Sequence, residues 1–340
     1  MGYSISSTRG IVFSMVAAQV PSVPTAGRDY PRNLPEFHRF FPDQSACCSY
    51  LERLRWPGGF VCPGCASAVS PWRTGRDLLL CPNCRRQVSV TANTIFEKTR
   101  KPLQLWFLAI WELTSQKYGA NALGMKRVLG LGGYLTAWAW LHKLRRAMVR
   151  PSRDRLSGTV QVDESYVGGR EQGGRGRKTE QKAIVAIAVE MKHPKGFGRI
   201  RLRQVPDVSA DSLVGFVSDV VEPGVVIQTD GWTSYTPLRS RGFNHEVTVL
   251  SDSPDPAHVL MPGPHRVSSL LKRWLGGTYQ GAVAKEHLDY YLDEYTFRFN
   301  RRTSRSRGLL FHRLVTQAAQ TDHTSTSSLF RQTGRGTRLS

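Results

Sequence analysis

Four cysteines are the residues best placed to do chemistry. Cys62 and Cys65 in VCPGC, and Cys81 and Cys84 in LCPNC, form two Cys-Pro-x-Cys knuckles 15 residues apart, with Gly, Pro and Asn in the turns. Each tight turn presents two thiolates, and together they close a tetrahedral four-sulfur site for Zn2+. A pair of disulfides is the competing use of the same residues, and it belongs to an oxidising compartment. With all four positions filled by protein the zinc is structural, supplying folding free energy that so short a segment cannot draw from a core. Cys47 and Cys48 are adjacent and could bridge each other only with strain; in DQSACCSYLERLRWP they read as small apolar residues on a short helix.

A second set of residues is acidic. Asp163 lies within VQVDESYVGG, a strand that reads as buried, where a carboxylate is costly unless paired or bound to metal. Asp230 ends the apolar strand GVVIQTDG, at the end where an open α/β sheet places ligand-binding groups. Glu164 follows Asp163 directly and so faces the other side of the strand. Singly, an acid at a strand end is an ordinary turn or cap residue. Two aspartates on neighbouring strands of a very basic protein suit two-metal phosphoryl chemistry: Mg2+ or Mn2+ takes carboxylate oxygens, and two ions about 4 Å apart hold the attacking and leaving oxygens. A third ligand then has to come from a later helix. His265, near the head of PGPHRVSSLLKRWLGG, stands there; the plainer use of that histidine is helix capping or packing.

The elements that must position these groups sit in a chain of 340 residues, enough for two or three small domains, with 47 Lys+Arg against 26 Asp+Glu and a formal charge of +21. That surplus points to a polyanionic partner, nucleic acid before membrane surface, because phosphates reward it through counterion release; a merely soluble basic protein is the alternative. No apolar run approaches the ~18 residues of a membrane helix, since LQLWFLAIWEL is interrupted by Glu112. GIVFSMVAAQV only imitates a signal-peptide core, with one upstream arginine and no cleavage site. The chain is expected to be intracellular, with residues 1–28 a disordered extension.

Residues 29–98 read as an N-terminal helix, with Asp43 its N-cap, followed by the zinc ribbon. Residues 99–152 carry helical periodicity in three pieces broken by glycines, a pattern that suits either a helix-turn-helix or a simple helical connector. From residue 153 the period changes to that of strands, TVQVDESYV, AIVAIAVE and GRIRLRQV, followed by a helix capped by Ser209, the strand ending at Asp230, and helices near 265–275 and 284–299. This is one α/β domain over 153–315, with a disordered basic tail over 316–340.

VDESYVGG, TDGWTSY, HRVSSLLKRWLGGTYQG and YLDEYTFRFNRR resemble, in order and spacing, the DDE-type transposases of bacterial insertion sequences. Within them, the group with an N-terminal zinc ribbon is the best match, since YPRNLPEFHRFFP, CCSYLERLRWPGGFVCPGC and TAWAWLHKLRRAM are also similar. The resemblance covers roughly 30–315. It implies an RNase H-like mixed sheet with flanking helices as the catalytic domain. It also implies Asp163 and Asp230 as the first two catalytic metal ligands, His265 as a third position that is Glu, Asn or His in different branches, and Lys272 seven residues on. That step is two helical turns, so His265 and Lys272 share a face and the lysine can reach a DNA phosphate.

The activity implied by the resemblance is that of a DNA transposase. Such a protein binds the inverted-repeat ends of its element, cuts a phosphodiester and joins the end to target DNA, working as a homo-oligomer on DNA in the bacterial cytoplasm at the nucleoid. A catalytically inactive or domesticated zinc-ribbon DNA-binding protein, or a nuclease of the same fold, are the rivals. DNA contacts are expected from the Gly-rich loop 168–182, with Arg170, Arg175, Arg177 and Lys178, from Arg273, and from the basic cluster Arg298, Arg301 and Arg302. The loop could equally be a solvated hairpin. Trp232 and Tyr235 could stack on a base or pack in the core.

Overall fold

The computed structural model describes residues 23–150, 152–168, 182–248, 255–281 and 283–331. The N-terminal part opens with two short helices, α1 (Leu34–Phe40) and α2 (Gln44–Arg55). Asp43 caps α2 as expected, its carboxylate accepting the Ala46 N–H at 2.8 Å. Three two-residue strands, β1 (Trp72–Arg73), β2 (Leu79–Leu80) and β3 (Gln87–Val88), make a small antiparallel sheet around the cysteines. Helices α3 (Leu103–Ser115), α4 (Ala122–Val128) and α5 (Tyr134–Ala147) follow.

The second sheet holds β4 (Thr159–Val167), β5 (Ala183–Met191), β6 (Phe197–Val205), β7 (Val226–Asp230) and β8 (Asn244–Thr248) in the order β6-β5-β4-β7-β8. β4, β5 and β6 run antiparallel, while β7 is parallel to β4 and β8 parallel to β7. This is the mixed RNase H-like sheet implied by the resemblance, with β4 at its centre. Helix α6 (Ala210–Val220) covers one face through Leu213, Phe216 and Val217, packed against Val160 and Val162. The other face is covered by α8 (Pro262–Tyr279), which follows the four-residue α7 (Ala257–Leu260), and by α9 (Leu288–Phe299). Strand β8 was not anticipated: NHEVT is short and polar, half of it facing water at the sheet edge.

The C-terminal boundary departs from expectation. Residues 316–331 are not a disordered tail: α10 (Arg307–Gln320) carries past residue 315, and α11 (Thr326–Arg331) buries Leu329 completely. Phe311, Leu314, Val315 and Ala318 of α10 insert into the N-terminal core, where the Phe311 ring lies 5.5 Å from Phe37 and 5.9 Å from Phe107. Gly308 is pressed so closely on the Pro31 carbonyl that a Cβ would overlap it. Residues 23–28, expected to belong to a disordered extension, instead form a turn in which the Gly27 N–H reaches the Tyr30 carbonyl at 2.8 Å; residues 1–22 lie outside the described residues. A buried ion pair, Arg145 to Glu294 at 2.8 Å with side chains 1% and 0% exposed, ties α5 to α9. Among the described residues no helix is long and apolar enough to cross a membrane.

Candidate active site

The two aspartates lie just beyond the end of the β4–β7 ladder. Gln161 pairs with Gln228 in register, and the Gln161 Nε2 donates to Gln228 Oε1 at 3.2 Å, so both side chains stand on one face. One pleat repeat further along each strand, on that same face, come Asp163 and Asp230. Both are half-buried. Asp163 Oδ1 accepts the Glu164 N–H at 2.8 Å and Asp230 Oδ1 accepts the Trp232 N–H at 3.1 Å, which fixes the orientation of each carboxylate. Glu164 faces the opposite side, where its Oε2 accepts the Tyr235 hydroxyl at 3.1 Å. Burial first, then the negative charge of Glu164, Asp163 and Asp230, pushes the Tyr235 phenol well above its ordinary range. Tyr235 itself is fully buried, and Glu164 is the carboxylate it touches.

Helix α8 lies along β4 on the aspartate face. The Gly263 N–H donates to Gln161 Oε1 at 2.9 Å, and Ser268 Oγ meets Ser165 Oγ at 2.6 Å. Asp163 sits between Gln161 and Ser165 on this face of the strand, and His265 sits between Gly263 and Ser268 on the helix, so the two contacts bracket both. The glycine is required for this approach: a Cβ at 263 would stand 2.9 Å from Gln161 Oε1 and 3.1 Å from Met191 Sδ. Burial, then His258 and Lys272, holds the half-buried His265 imidazole below its ordinary range and favours the neutral form. Lys272 has an exposed side chain, yet desolvation of its ammonium and repulsion by Lys182 hold it below the usual lysine range.

Two hard carboxylates and a neutral imidazole are a donor set that fits a catalytic metal pair chemically. The three do not converge on a single point: among the described residues, only Cys62, Cys65, Cys81 and Cys84 bring their ligand atoms within 4.8 Å of one another. Two ions about 4 Å apart need a wider donor set than one ion does.

The cysteine cluster fits one tetrahedral ion. Cys62 and Cys84 sulfurs are 3.5 Å apart and Cys65 and Cys81 3.7 Å, close to the roughly 3.8 Å edge of a tetrahedron with zinc–sulfur bonds of about 2.3 Å. The first knuckle turn favours thiolates, whereas, despite bonding from the Arg86 backbone, the neighbouring cysteine sulfurs push the Cys84 thiol up to about 12. Hydrogen bonding from the Gly64 amide draws the Cys62 thiol down, and bonding to the Ser67 hydroxyl and backbone draws Cys65 down to about 6.

The expected DNA contacts divide. Arg170, Arg175, Arg177 and Lys178 lie outside the described residues, which resume at Lys182 across the Val167–Ala183 pair that closes the β4–β5 hairpin. Arg273 is exposed on α8 beside Lys272. Arg298 serves the scaffold instead: its guanidinium binds Glu294 at 2.9 Å and donates to the carbonyls of Leu113 and Gln116. Arg302 is exposed but donates to the carbonyls of Gly198 and Phe299, and Arg301 lines a cavity between α9 and α10. Trp232 and Tyr235 pack in the core, the Trp232 indole donating to Val208 O at 3.3 Å. In the α4–α5 pair only the first turn of α5, Tyr134 to Thr136, is exposed on that helix, beside Leu123 and Val128 of α4.

Gln161, Gln228, Ser165 and Ser268 escaped notice at the level of sequence. A signal existed: Gln-Val-Asp at 161–163 and Gln-Thr-Asp at 228–230 repeat one pattern on two strands.

Residues 155–300 match the ISXO2-like transposase domain family, and residues 42–87 match the transposase zinc-ribbon domain family. A Halobacterium salinarum protein, described as an uncharacterized protein in transposable element ISH50, is 26% identical over 76% of this chain and 91% of its own length. Among solved structures, the catalytic core domain of BIV integrase aligns with 40% of this chain and 81% of its own, at 15% identity and a TM-score of 0.27. The Mos1 strand transfer complex aligns with 61% and 78%, at 12% identity and a TM-score of 0.21.

Proposed function

We propose that this chain, a transposase by its zinc-ribbon and ISXO2-like domains, binds the inverted-repeat ends of an insertion sequence and performs metal-dependent cleavage and strand transfer on DNA. The observation that carries this reading is the placement of Asp163 and Asp230 side by side on β4 and β7 with the head of α8 docked against the same face.

Asp163, Asp230 and His265 would together hold the Mg2+ or Mn2+ ions. Bound there, the ions would supply Lewis acidity at the attacking and leaving oxygens of an in-line displacement. In the first displacement water attacks phosphorus and the 3′-oxygen leaves as a hydroxyl. In the second that hydroxyl attacks a phosphodiester of target DNA and displaces its 3′-oxygen. Lys272, two turns along α8 from His265, holds a nearby phosphate, and its proton affinity is lowered by desolvation first and then by Lys182. The loop 169–181 and Arg273 track the DNA backbone at the same end of β4.

The four cysteines hold one structural zinc, and the ribbon with the exposed first turn of α5 reads the element ends. A homo-oligomer bridging two ends completes the assembly. The reading is tested by incubating the protein with a duplex carrying one element end, with Mg2+ or Mn2+, and following nicked and joined products. Nicks without joining would make it a nuclease. Binding without either would make it a DNA-binding protein only.

A further inference from the structure

A cavity of about 530 Å³ lies at the other end of β4 from the basic loop, walled by the segment before β4, the edge strand β6, and helices α9 and α10. Neither aspartate nor His265 lines it. Six arginines do: Arg150, Arg153, Arg199, Arg201, Arg301 and Arg313, against the two aspartates Asp154 and Asp293. Arg199 is ion-paired with Glu190 and Arg150 with Asp154. Among the described residues, Arg201, Arg301 and Arg313 have no such carboxylate within 4.0 Å.

Arg201 is only 5% exposed and donates to the Ile200 and Asp154 carbonyls, while Arg301 donates through Nη1 to the Phe297 carbonyl but its buried Nε has no hydrogen-bond partner. Leaving such a donor unsatisfied costs about 1–3 kcal/mol or more for a charged group, so the site holds a standing demand for an acceptor. Burial first, then neighbouring arginines, pushes both guanidiniums down to about 10, although Glu190 and Asp154 partly offset this at Arg201. The cavity is larger than one phosphate needs, and its rim carries the exposed Arg150 and Arg313, which suits a chain of phosphodiesters passing over it.

We propose that this arginine-lined cavity is a second DNA-backbone site, holding phosphates of the duplex away from the cleavage groove. It rests on the reading of the chain as a DNA-acting protein and adds where the duplex is held outside the reacting phosphodiester. Guanidinium groups in such a cluster grip phosphate oxygens without reading base sequence.

The test is fluorescence anisotropy of the full chain on a short labelled duplex that lacks any terminal repeat, across a salt series. In Arg301→Gln/Arg313→Gln the slope of log affinity against log salt should fall by about 2, with affinity near 0.1 M salt lower by roughly tenfold. Arg150→Gln/Arg313→Gln alters only exposed rim side chains, so it keeps the fold and should lower the slope as well. Wild-type slope and affinity in both folded variants overturn the proposal. So does pyrophosphate that raises the melting temperature of the wild type alone without competing for duplex, because the cavity would then belong to a free anion. Nicking of an end-bearing duplex by the same preparations separates the two readings. No nicking with altered slopes removes the transposase reading alone, and nicking with equal slopes removes the cavity alone.

Discussion

Gln161 and Gln228 are the last register pair of the β4–β7 ladder and are hydrogen-bonded to each other, and Asp163 and Asp230 each follow two residues beyond. The pairing makes their separation a property of the sheet rather than of a loop. Asp163→Asn or Asp230→Asn removes charge without changing shape, so each should lower metal-dependent nicking by about 10³-fold while duplex affinity and melting temperature stay near wild type. Wild-type nicking in either variant would take that residue out of the reaction.

His265 must be neutral to hold a metal ion. Burial, His258 and Lys272 keep its proton affinity below the ordinary histidine value, so the neutral form is complete at neutral pH and is lost as pH falls through that lowered value, below about 6.5. Nicking should fall along the same limb. In His265→Glu the limb should move toward the carboxylate range. An acid limb unmoved by this substitution would show that another group sets it.

Gly263→Ala tests the docking of α8. The added methyl meets Gln161 Oε1 at 2.9 Å and Met191 Sδ at 3.1 Å, and overpacking of this kind costs about 1–3 kcal/mol. Thermal unfolding should register that loss, and nicking should drop with little change in duplex affinity, because the helix head that carries His265 is displaced.

Zinc analysis of the purified chain should return about one ion per chain. A strong chelator should release it and open residues 60–90 to protease, since the three two-residue strands there bury little apolar surface of their own. Resistance to protease after complete zinc release would show that the ribbon folds without metal.

Glu294 is fully buried between Arg145 and Arg298. Burial raises its carboxyl, but Arg298 and Arg145 outweigh burial and hold it below the usual range. Its contribution to stability is therefore complete above the unfolded value near 4.3 and disappears as pH falls through the lower folded value. Glu294→Gln should cost about 3–5 kcal/mol at neutral pH, and denaturant titrations should show a shallower loss of stability below about pH 4 than in wild type.

The cysteine knuckles and the strands bearing Asp163 and Asp230 are legible in the sequence because their signals are local: ligand spacing in one case, strand-length apolar runs in the other. The position of His265 is legible only through family resemblance, since nothing in PGPHRVSS announces which sheet face the helix will meet. Contacts between distant segments leave no trace. Arg298 reads as one more surface cation in RFNRR until Glu294 and the carbonyls of α3 are seen around it. The apolar residues of α10 predict a helix but not its partner, and 316–331 reads as too polar to order, although Leu329 within it is fully buried.

The seating of α10 on α2 and α3 also sets an order of events. Phe37, Phe41 and Trp111 share the partner Phe311, which is made 200 residues after Trp111 and later still after the two phenylalanines. The early part of the chain therefore waits, its core unsealed, until the catalytic sheet has been translated. A chain broken off before residue 307 keeps the whole ribbon and both aspartates but lacks the closing helix. Gly308, pressed against the Pro31 carbonyl, is where α10 locks onto the segment before α1.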